Sequence, residues 1–571
     1  MRKYCNPLDL NYRYQHKLIY NAFREAADPT LVLFKGTYYL FASMGGGFWY
    51  SDDLLDWKFK EMKTEMYSYA PDVRQIGDYL YFSASKHKRN WIYRTSDPMS
   101  GEFERVRKIF PFWDPDIFED DDKRVYFYWG CANKTPIYGV ELDRETMKPL
   151  TKKKGLIGNR YEKSGWEKTD LYREPPKTKI DEQKLKFVGK LPFIEGAFMT
   201  KNNGKYYLQY AAPATEVNAY GDGVYVSDSP LGNFKVQAHN PFSSKPAGFI
   251  RGAGHGSTIE DKYGNWWHIA SMCVCVNEGF ERRLGLFPVG FDKDGTMFSN
   301  QYLCDFPVEI PEGKFDPLSV CPKDMLLSYK VKATASSTYK DHAPENGVNE
   351  DIKTCWCAAM PSAGEWYEID LGKERDISSV QVNFADCEVP QLDGVKKEGS
   401  FYDKRYIDTE SDLKTRWQLL ASLDGENWTV VIDKKDAETN LCNDFTAFEN
   451  AVKARYLKVV GYEFPYNSRM AISGLRVFGV GEEELCKKAE NVIVKRISGI
   501  EAEISWDKAD GKVGYIVSYG VKPDALYSSW QVFDKEKVNI TFLDEDNAEY
   551  YCRVDVFNER GITKGDVIKI G

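Results

Sequence analysis

The sequence predicts an all-β protein, with a five-bladed β-propeller over residues 1–320 and two smaller β-sandwiches over residues 325–480 and 486–571. Its 571 residues exceed the usual size of one domain, so several domains are expected. Hairpin-like segments recur through the first 300 residues, and alternating strand patterns dominate the remainder. Four strands per repeat at this spacing are typical of propeller blades.

Each repeat combines a small or acidic head, an apolar strand, a turn and an aromatic strand that ends in small or polar residues. This order of elements is typical of a β-hairpin. A basic unit of about 42 residues fits the spacing if insertions are allowed, chiefly in the polar segment 151–190. The segments begin at Ala27 (ADPTLVLFKGTYYLFAS), Ala70 (APDVRQIGDYLYFSAS), Trp113 (WDPDIFEDDDKRVYFYWG), Ile194 (IEGAFMTKNNGKYYLQYA) and Gly254 (GHGSTIEDKYGNWWHIAS).

The heads of the repeats are the first candidate site residues. The innermost strands of a propeller run side by side along a central channel, so equivalent heads converge at one mouth of it. A single Asp before Pro is more often a turn cap, but several carboxylates at equivalent heads favour a shared pocket. The heads are Asp28, Asp72, Asp114, Glu195 and His255.

Composition and charge argue against several other classes of protein. The formal net charge of −9 is unfavourable for a polyanion partner such as nucleic acid. No apolar run is long enough for a membrane span, and the first residues lack the apolar stretch of a signal peptide. A cytoplasmic location is expected, with a secreted form whose signal was removed as the alternative. The 12 cysteines are scattered and show no complete zinc-site spacing.

Five ordered motifs, ADPTLV, APDV, WDPDIF, IEGAFM and GAGHGS, resemble glycoside hydrolase family 43, a family of five-bladed propellers. The resemblance covers roughly residues 5–310. It implies that Asp28 is the general base and that Glu195 is the general acid. It implies that Asp114 orients Glu195 and tunes its protonation.

The same resemblance assigns a histidine and an arginine. His255 matches a histidine near the channel centre, which in many members helps to hold a hydrated Ca²⁺ ion. An ion there would be structural, and no cofactor is required for the chemistry. The family's active-site arginine corresponds to Arg282 or Arg283, and the sequence leaves the choice open.

Four further residues are candidates for sugar contact. Trp49 follows three glycines and would stack on a sugar or pack between blades. Trp113 is bulkier than the aliphatic residue common at this place in the family, which affects the shape of the pocket. Phe198 would be an apolar wall beside Glu195, and Asp72 would be structural or substrate-facing.

Paired carboxylates suit glycoside cleavage on chemical grounds. One protonated acid donates to the leaving oxygen, and in an inverting enzyme a second, ionised carboxylate activates water about 6.5–9.5 Å away. The acid must remain protonated near neutral pH. A neighbouring anion such as Asp114, together with apolar walls from Phe193 and Phe198, would favour the protonated form of Glu195.

Residues 325–480 resemble a discoidin-type jelly roll, on stretches such as GEWYEIDLGKERDISSVQVNF and ISGLRVFG. Such modules often bind sugars, and many hold a structural Ca²⁺, for which Asp351 and Thr354 would be candidates here. The alternative is a spacer that packs on the propeller and binds nothing. The polar insertion 388–416 would be a lid or a solvated loop.

Residues 486–571 resemble a fibronectin type III domain, on AEISWDKADGKVGYIVSYG and AEYYCRVDVFNERGIT. Trp506, Tyr515 and Tyr551 match its usual core positions, which predicts packing rather than ligand contact.

These observations predict an inverting, exo-acting glycoside hydrolase of the α-L-arabinofuranosidase or β-D-xylosidase type. It would be a monomer that releases non-reducing-end sugars from plant-type oligo- or polysaccharides. The alternatives are an exo-β-galactosidase or galactofuranosidase of the same fold, and a carbohydrate-binding propeller without turnover. Endo action stays open, and phosphorolysis is disfavoured because Arg282 and Arg283 are the only basic pair near a motif.

Overall fold

The computed structural model describes most of the chain. The described residues are 2–17, 20–64, 69–85, 89–169, 182, 186, 191–274, 276, 280–389, 406–407, 412–544 and 548–571. Parts of the predicted insertions 151–190 and 388–416 therefore lie outside them. Within the described part, no helix is long and apolar enough to cross a membrane. Short 3₁₀ helices occur at Pro98–Ser100, Gly165–Glu167, Pro317–Ser319, Pro344–Gly347 and Pro465–Asn467.

Five antiparallel sheets form the blades of a propeller; four of them have four strands, and blade 4 has a fifth, short strand. Blades 1 and 2 contain Thr30–Phe34, Thr37–Phe41, Gly47–Ser51 and Lys58–Glu61, then Tyr69–Ile76, Tyr79–Ser85, Trp91–Thr95 and Glu104–Lys108. Blade 3 contains Asp116–Glu119, Val125–Trp129, Ile137–Leu142 and Lys154–Ile157. Blades 4 and 5 contain Glu195–Asn202, Lys205–Ala212, Gly221–Ser227 and Lys235–Val236, then Arg251–Glu260, Trp266–Cys273, Arg282–Phe291 and Met297–Ser299.

Local sequence explains the blades. The turn after Glu195–Asn202 has Asn203 and Gly204 at φ 47° and 73°, the left-handed pair that a two-residue hairpin requires. The second strand Val125–Trp129 is buried along its whole length, because both faces of a blade pack against neighbouring blades. Aromatic residues therefore fill the spaces between blades, as in the Phe41, Phe82 and Phe103 cluster of blades 1 and 2.

The inner strands form a closed ring, in which each contacts the next and the fifth contacts the first. Side chains at one repeated position tie neighbouring blades together. The Thr30 hydroxyl donates to the Pro71 carbonyl at 2.7 Å, and Asp72 accepts from the backbone N–H of Ile117 at 2.8 Å. Asp116 likewise accepts from Met199 at 2.8 Å, and Ser257 from Leu31 at 2.9 Å.

The second unit is a jelly roll whose eight strands form one continuous antiparallel sheet. Its two long strands bend from one face of the sandwich to the other, with register shifts at the bends. The strands are Met325–Leu326, Lys332–Ala335, Trp356–Cys357, Trp366–Phe384, Arg416–Ser422, Thr429–Lys434, Asn443–Glu463 and Ala471–Gly479.

The third unit is a sandwich of a three-stranded and a five-stranded sheet. Trp506 and Tyr515 lie in its core, as predicted, but Tyr551 is half-buried and its hydroxyl donates to Glu549, so Tyr550 is the core residue. The strands are Ile493–Ser498, Glu501–Ser505 and Lys537–Thr541, then Gly514–Gly520, Ser528–Val532, Tyr550–Phe557, Ile562–Thr563 and Ile568–Ile570.

Further short strands extend the propeller, and one of them pairs with the jelly-roll insertion. Lys3–Tyr4 pairs with Val308–Glu309, Ser243–Ser244 adds to blade 4, and Arg13–Lys17 pairs with Tyr20–Glu25 and with Tyr406–Ile407 of the jelly-roll insertion.

The jelly roll packs directly on the propeller. Arg476 is buried, pairs with Glu350 at 2.9 Å through two nitrogens and also donates to the Asp305 carbonyl. The loop predicted to bind Ca²⁺ contacts the propeller: the N–H of Ile352 donates to the Phe249 carbonyl at 3.1 Å. Asp351 lies 3.5 Å from an Arg251 nitrogen. A Ca²⁺ ion in this loop stays a prediction.

The C-terminal sandwich also packs on the propeller, where Tyr527 stacks on Phe298 with ring centroids 4.0 Å apart. The all-β fold class, with a five-bladed propeller followed by a jelly roll and a further β-sandwich, is confirmed. The fibronectin type III resemblance of the last unit stays a prediction.

Candidate active site

One backbone feature recurs at the same end of all five inner strands. In each blade, one residue at or near the start of the strand has a positive φ, in the left-handed region that few non-glycine residues adopt. Strain of this kind is concentrated at functional sites. These residues are Asp28 (50°), Ala70 (42°), Asp114 (47°), Gly196 (61°) and His255 (48°).

This repeat corrects the predicted alignment of blade 2. Ala70, and not Asp72, is the residue equivalent to Asp28 and Asp114. Asp72 is two residues further along its strand, at the position of Thr30, where it ties blade 2 to blade 3. Asp72 is almost fully buried and does not line the pocket, so the prediction of substrate contact is wrong.

The mouth of the channel holds a pocket of about 240 Å³. It brings together the three predicted catalytic acids, Asp28, Asp114 and Glu195, from blades 1, 3 and 4. Its other walls are aromatic, polar or small, and they include two predicted residues, Trp113 and His255, and one of the two arginines. These walls are Tyr69, Trp113, Cys131, Phe193, Ala214, Thr215, Glu216, His255, Phe280 and Arg282.

Asp28 is held on both carboxylate oxygens. Oδ1 accepts from Arg282 Nη1 at 3.0 Å, and Oδ2 accepts from the Ser43 hydroxyl at 2.6 Å. The backbone N–H of Asp28 donates to Ser271 Oγ of blade 5 at 2.8 Å. An arginine pair and a hydroxyl donor both stabilise the ionised form of a carboxylate.

The structure resolves the choice between the two arginines. Arg282 lines the pocket and also donates to Glu25 Oε1 at 2.8 and 2.9 Å, so its guanidinium is fixed between two carboxylates. Arg283 alternates to the other face of the same strand. There it donates to the Arg24 carbonyl at 2.6 Å, and it does not line the pocket.

Glu195 has different partners from Asp28. Its Oε1 accepts from the Tyr220 hydroxyl at 2.7 Å, and its Oε2 accepts from the Cys131 thiol at 3.1 Å. Both donors are neutral, and within the described residues no salt bridge to Glu195 is found. Lys201, on the same strand, pairs with Asp120 and Asp121.

Asp114 lies between the other acids and the histidine. The Ser85 hydroxyl donates to Oδ1 at 3.1 Å, and the Gly196 N–H lies 3.3 Å from Oδ2. Burial raises the pKa of Asp114 to about 7, and the charges of Glu195 and Asp28 add to this effect against the opposing influence of His255. Asp114 therefore holds a proton at a pH well above the ordinary range of Asp.

His255 contacts two of the three acids. Its Nδ1 lies 3.3 Å from Asp28 Oδ1 and 3.9 Å from Asp114 Oδ2. Burial disfavours the imidazolium, but Asp28, Asp114 and Glu195 outweigh it and raise the pKa of His255. A protonated His255 would donate to Asp28.

The surroundings of His255 offer few partners for the predicted Ca²⁺ ion. Among the described residues, His255 belongs to no group of three side chains whose ligand atoms lie close together. Its Nδ1 faces Asp28, which already binds Arg282. The arrangement suits a hydrogen-bond partner of the acids, and a hydrated ion held by His255 stays a prediction.

Two predicted sugar contacts lie in the core instead. Trp49 is buried between Tyr12 and Phe59, because its strand packs against the N-terminal segment. Phe198 is buried with the Arg74 guanidinium 3.5 Å above its ring. Neither lines the pocket, and Phe193 is the apolar wall beside Glu195.

Sequence reasoning missed the donors that hold the acids. Ser43, Ser85 and Ser271 lie at or within two residues of the ends of the second strands of blades 1, 2 and 5, in the sequences FAS, SAS and IAS. Their hydroxyls accept from the N–H groups of Ala70, Asp114 and Asp28 at 2.7–2.8 Å. The repeated small-polar strand ends were the available signal for them. No pattern pointed to Cys131 or Tyr220.

Comparisons with known proteins agree with this site. Residues 22–297 match the family model "Glycosyl hydrolases family 43", and residues 346–459 match "NedA-like, galactose-binding domain". A β-xylosidase of Xylanibacter ruminicola is 28% identical over 213 residues, which are 35% of this chain and 61% of that protein. The chain thus spans about three fifths of the length of this curated relative.

Solved structures with similar folds include a thermostable family-43 glycoside hydrolase, at 22% identity and a TM-score of 0.41, covering 55% of this chain and 98% of the other. Another is an α-L-arabinofuranosidase from Clostridium thermocellum, at 19% identity and a TM-score of 0.33, covering 48% and 93%. A family-43 glycosyl hydrolase domain is thus found over residues 22–297, and this match spans all three acids.

Proposed function

We propose that the chain is an inverting, exo-acting glycosidase that removes a single sugar from the non-reducing end of an oligo- or polysaccharide. The observation that carries the proposal is the convergence of Asp28, Asp114 and Glu195 in one pocket. In this assignment Glu195 protonates the leaving oxygen, Asp28 activates water, and Asp114 orients Glu195 and supports its protonation.

The different partners of the two outer acids support their roles. Asp28 binds a guanidinium, which favours the ionised state that a general base needs. Among the described residues, Glu195 accepts hydrogen bonds from a phenol and a thiol, and neither donor carries a positive charge. Burial raises the pKa of Asp114 to about 7, so Asp114 itself can hold a proton at a pH near neutral.

The dimensions of the pocket favour exo action. Its volume of about 240 Å³ is below the roughly 300–1,000 Å³ that is usual for pockets holding drug-sized ligands. One sugar unit therefore fits better than a chain of several units. Trp113, Tyr69 and Phe280 supply aromatic wall surface of the kind that packs against sugar faces.

We propose α-L-arabinofuranose or β-D-xylose as the sugar removed. The support is the β-xylosidase relative, which shares 28% identity over part of both chains. Galactose or galactofuranose is the second candidate, because the same acids would serve any glycoside whose ring fits the walls.

The first experiment is hydrolysis of p-nitrophenyl α-L-arabinofuranoside, β-D-xyloside, β-D-galactoside and β-D-galactofuranoside by the full chain. We expect turnover of one pentoside, and loss of about 10²–10⁴-fold in Glu195→Gln and Asp28→Asn. Asp72→Asn is the matched control, because it changes a buried carboxylate outside the pocket. Exo hydrolysis would be contradicted if the chain bound sugars but hydrolysed none of the four glycosides, or if it hydrolysed only a polysaccharide.

Leaving-group dependence separates the two acid roles. A 2,4-dinitrophenyl glycoside needs little protonation at the leaving oxygen, so Glu195→Gln should recover most of its activity on it, whereas Asp28→Asn should not. Proton NMR of the first-formed sugar tests inversion. Retention of the anomeric configuration would contradict the inverting mechanism. An equal loss of Glu195→Gln activity with both leaving groups would contradict the role of Glu195 as general acid.

A further inference from the structure

A second cluster of reactive side chains lies in the jelly roll and has no place in the proposed hydrolysis. Cys355, Cys357 and Cys387 are buried, and His342 is half-buried beside them. One ligand atom each from His342, Cys355 and Cys387 lies within 4.8 Å of the other two. All three cysteines are free thiols.

The distances in the cluster resemble the edges of a metal tetrahedron. His342 Nδ1 lies 3.4 Å from Cys355 Sγ, and Nε2 lies 3.6 Å from Cys387 Sγ. Zinc bonds of about 2.0–2.1 Å to nitrogen and about 2.3 Å to sulfur, at the tetrahedral angle, separate the two ligand atoms by about 3.5 Å. One ring nitrogen has to turn toward both sulfurs for a single ion to bind.

Cys357 is a third buried thiol in the same cluster, packed with Cys355 and Cys387. Its sulfur is not one of the three ligand atoms that lie within 4.8 Å of one another, so it has to turn toward them to bind a shared ion. Thiolates are the soft ligands that select zinc among the common divalent ions.

We propose that His342, Cys355 and Cys387 bind a Zn²⁺ ion and that Cys357 turns in as the fourth ligand of a structural Cys₃His site. Metal binding would displace the thiol protons to solvent and leave three thiolates and one neutral imidazole on the ion. With four protein ligands the site is closed, as structural zinc sites are, and leaves no position for a substrate.

The ligands come from three separate stretches of the jelly roll. His342 precedes the 3₁₀ helix Pro344–Gly347, Cys355 and Cys357 flank Trp356, and Cys387 follows the long strand Trp366–Phe384. An ion there would cross-link all three stretches, the first two of which are already joined by a backbone hydrogen bond from Cys357 to the His342 carbonyl at 3.3 Å. Because the spacing from Cys357 to Cys387 is long and the other ligands are irregularly placed, the sequence shows no zinc motif.

The site would also support the boundary with the propeller. Val276, in the propeller segment that leads to Phe280 and Arg282 of the pocket, packs against the cysteines. Asp386, next to Cys387, accepts from the Tyr14 hydroxyl at 2.6 Å and from the Arg24 N–H at 3.0 Å. Metal loading would therefore stabilise the contact between the two units.

Elemental analysis of the full chain, purified under reducing conditions after growth with zinc, tests the proposal. We expect about one zinc per chain, and at least about tenfold weaker zinc retention in Cys387→Ser and His342→Ala. Cys442→Ala is the matched control, since Cys442 is a buried jelly-roll thiol outside the cluster. Cobalt(II) substitution should give thiolate charge-transfer and tetrahedral d–d absorption bands in the wild type and lose them in the variants.

Thermal unfolding gives a second readout that does not depend on turnover. A strong chelator should lower the Tm of the wild type and of Cys442→Ala, but leave that of His342→Ala unchanged. Metal-free protein with all three thiols free, or with a disulfide between two of them on non-reducing mass spectrometry, would overturn the proposal. If Cys387→Ser fails to fold, His342→Ala alone decides, because it removes the imidazole and leaves every thiol in place.

Discussion

Carboxylates cluster both at the mouth of the propeller channel and further inside it, and the two clusters have different surroundings. At the mouth, Asp28, Asp114 and Glu195 face a pocket. Just inside, Asp72 and Asp116 share Arg74, which lies 2.6 Å from Asp116 Oδ1 and 3.5 Å from Asp72 Oδ1. The inner pair accepts backbone N–H groups of the next blade, so these carboxylates hold blades together.

A spacing of two residues decides between the two environments. Asp114 and Asp116 belong to one WDPD motif, yet the first enters the pocket and the second enters the blade contact. In an extended strand such residues would share a face. The left-handed φ of 47° at Asp114 breaks that alternation. One motif therefore supplies both a pocket carboxylate and a contact between blades.

The largest expected effect compares Asp28 with Asp72. Asp28→Asn should lower kcat/KM by about 10²–10⁴-fold, because the activating carboxylate is lost. Asp72→Asn should keep kcat/KM within about threefold of wild type, because burial and the Asp116 charge raise the pKa of Asp72 and a neutral amide resembles the protonated acid. Steady-state kinetics and thermal unfolding of both variants measure this. Comparable activity losses in the two would erase the distinction between mouth and interior.

The next effect compares two tryptophans. Trp113→Ala should raise KM by about tenfold with a small change in Tm, because Trp113 lines the pocket. Trp49→Ala should cost about 3–5 kcal/mol of unfolding free energy, because it empties a core site. Denaturant unfolding together with kinetics separates them. A raised KM in folded Trp49→Ala, with Trp113→Ala unchanged, would reverse the assignment.

The smallest effect is the pH dependence of stability. The pKa of Asp114 is raised to about 7 by burial, so the folded state binds more protons than the unfolded state between about pH 4 and pH 7. The stability contributed by this group is full below about pH 4 and is lost as pH rises through about 7. Asp114→Asn should therefore gain stability relative to wild type, on the order of a few kcal/mol, as pH rises from 4 to 8.

Asp120→Asn is the control for that measurement. Burial opposes it, but hydrogen bonds from Lys201 and Tyr206 hold the pKa of Asp120 below its ordinary value. The difference in unfolding free energy between Asp120→Asn and the wild type should not change with pH above about pH 5. A flat difference for Asp114→Asn as well would show that Asp114 is ionised throughout this range.

Because the sequence is repetitive, the blades and the acids of the pocket could be predicted from it. Five hairpin patterns identified the five blades, and the heads of three repeats supplied all three acids of the pocket. The prediction failed where the same residue type occurs at two places in a repeat. Asp72 was assigned to the head because APDV resembles ADPT, although the residue before Pro in blade 2 is Ala70.

The sequence could not predict the face of a strand on which a side chain lies, or the residues distant in the chain that it contacts. Adjacent Arg282 and Arg283 look alike in the chain, and only strand alternation puts one in the pocket and the other behind it. Trp49 and Phe198 are aromatic residues near site motifs, and their burial depends on packing from the N-terminal segment and from Arg74.

The sequence by itself determined the fold class, the repeat and the identity of the acids, because hydrophobic periodicity and short motifs are local properties of the chain. Only the tertiary structure decided which groups surround those acids. Tyr220 and Cys131 on Glu195, Arg282 on Asp28, and the gathering of His342 with three cysteines all join residues that are far apart in the chain. Side-chain chemistry at a site is set by such neighbours, and folding alone brings them within hydrogen-bond distance.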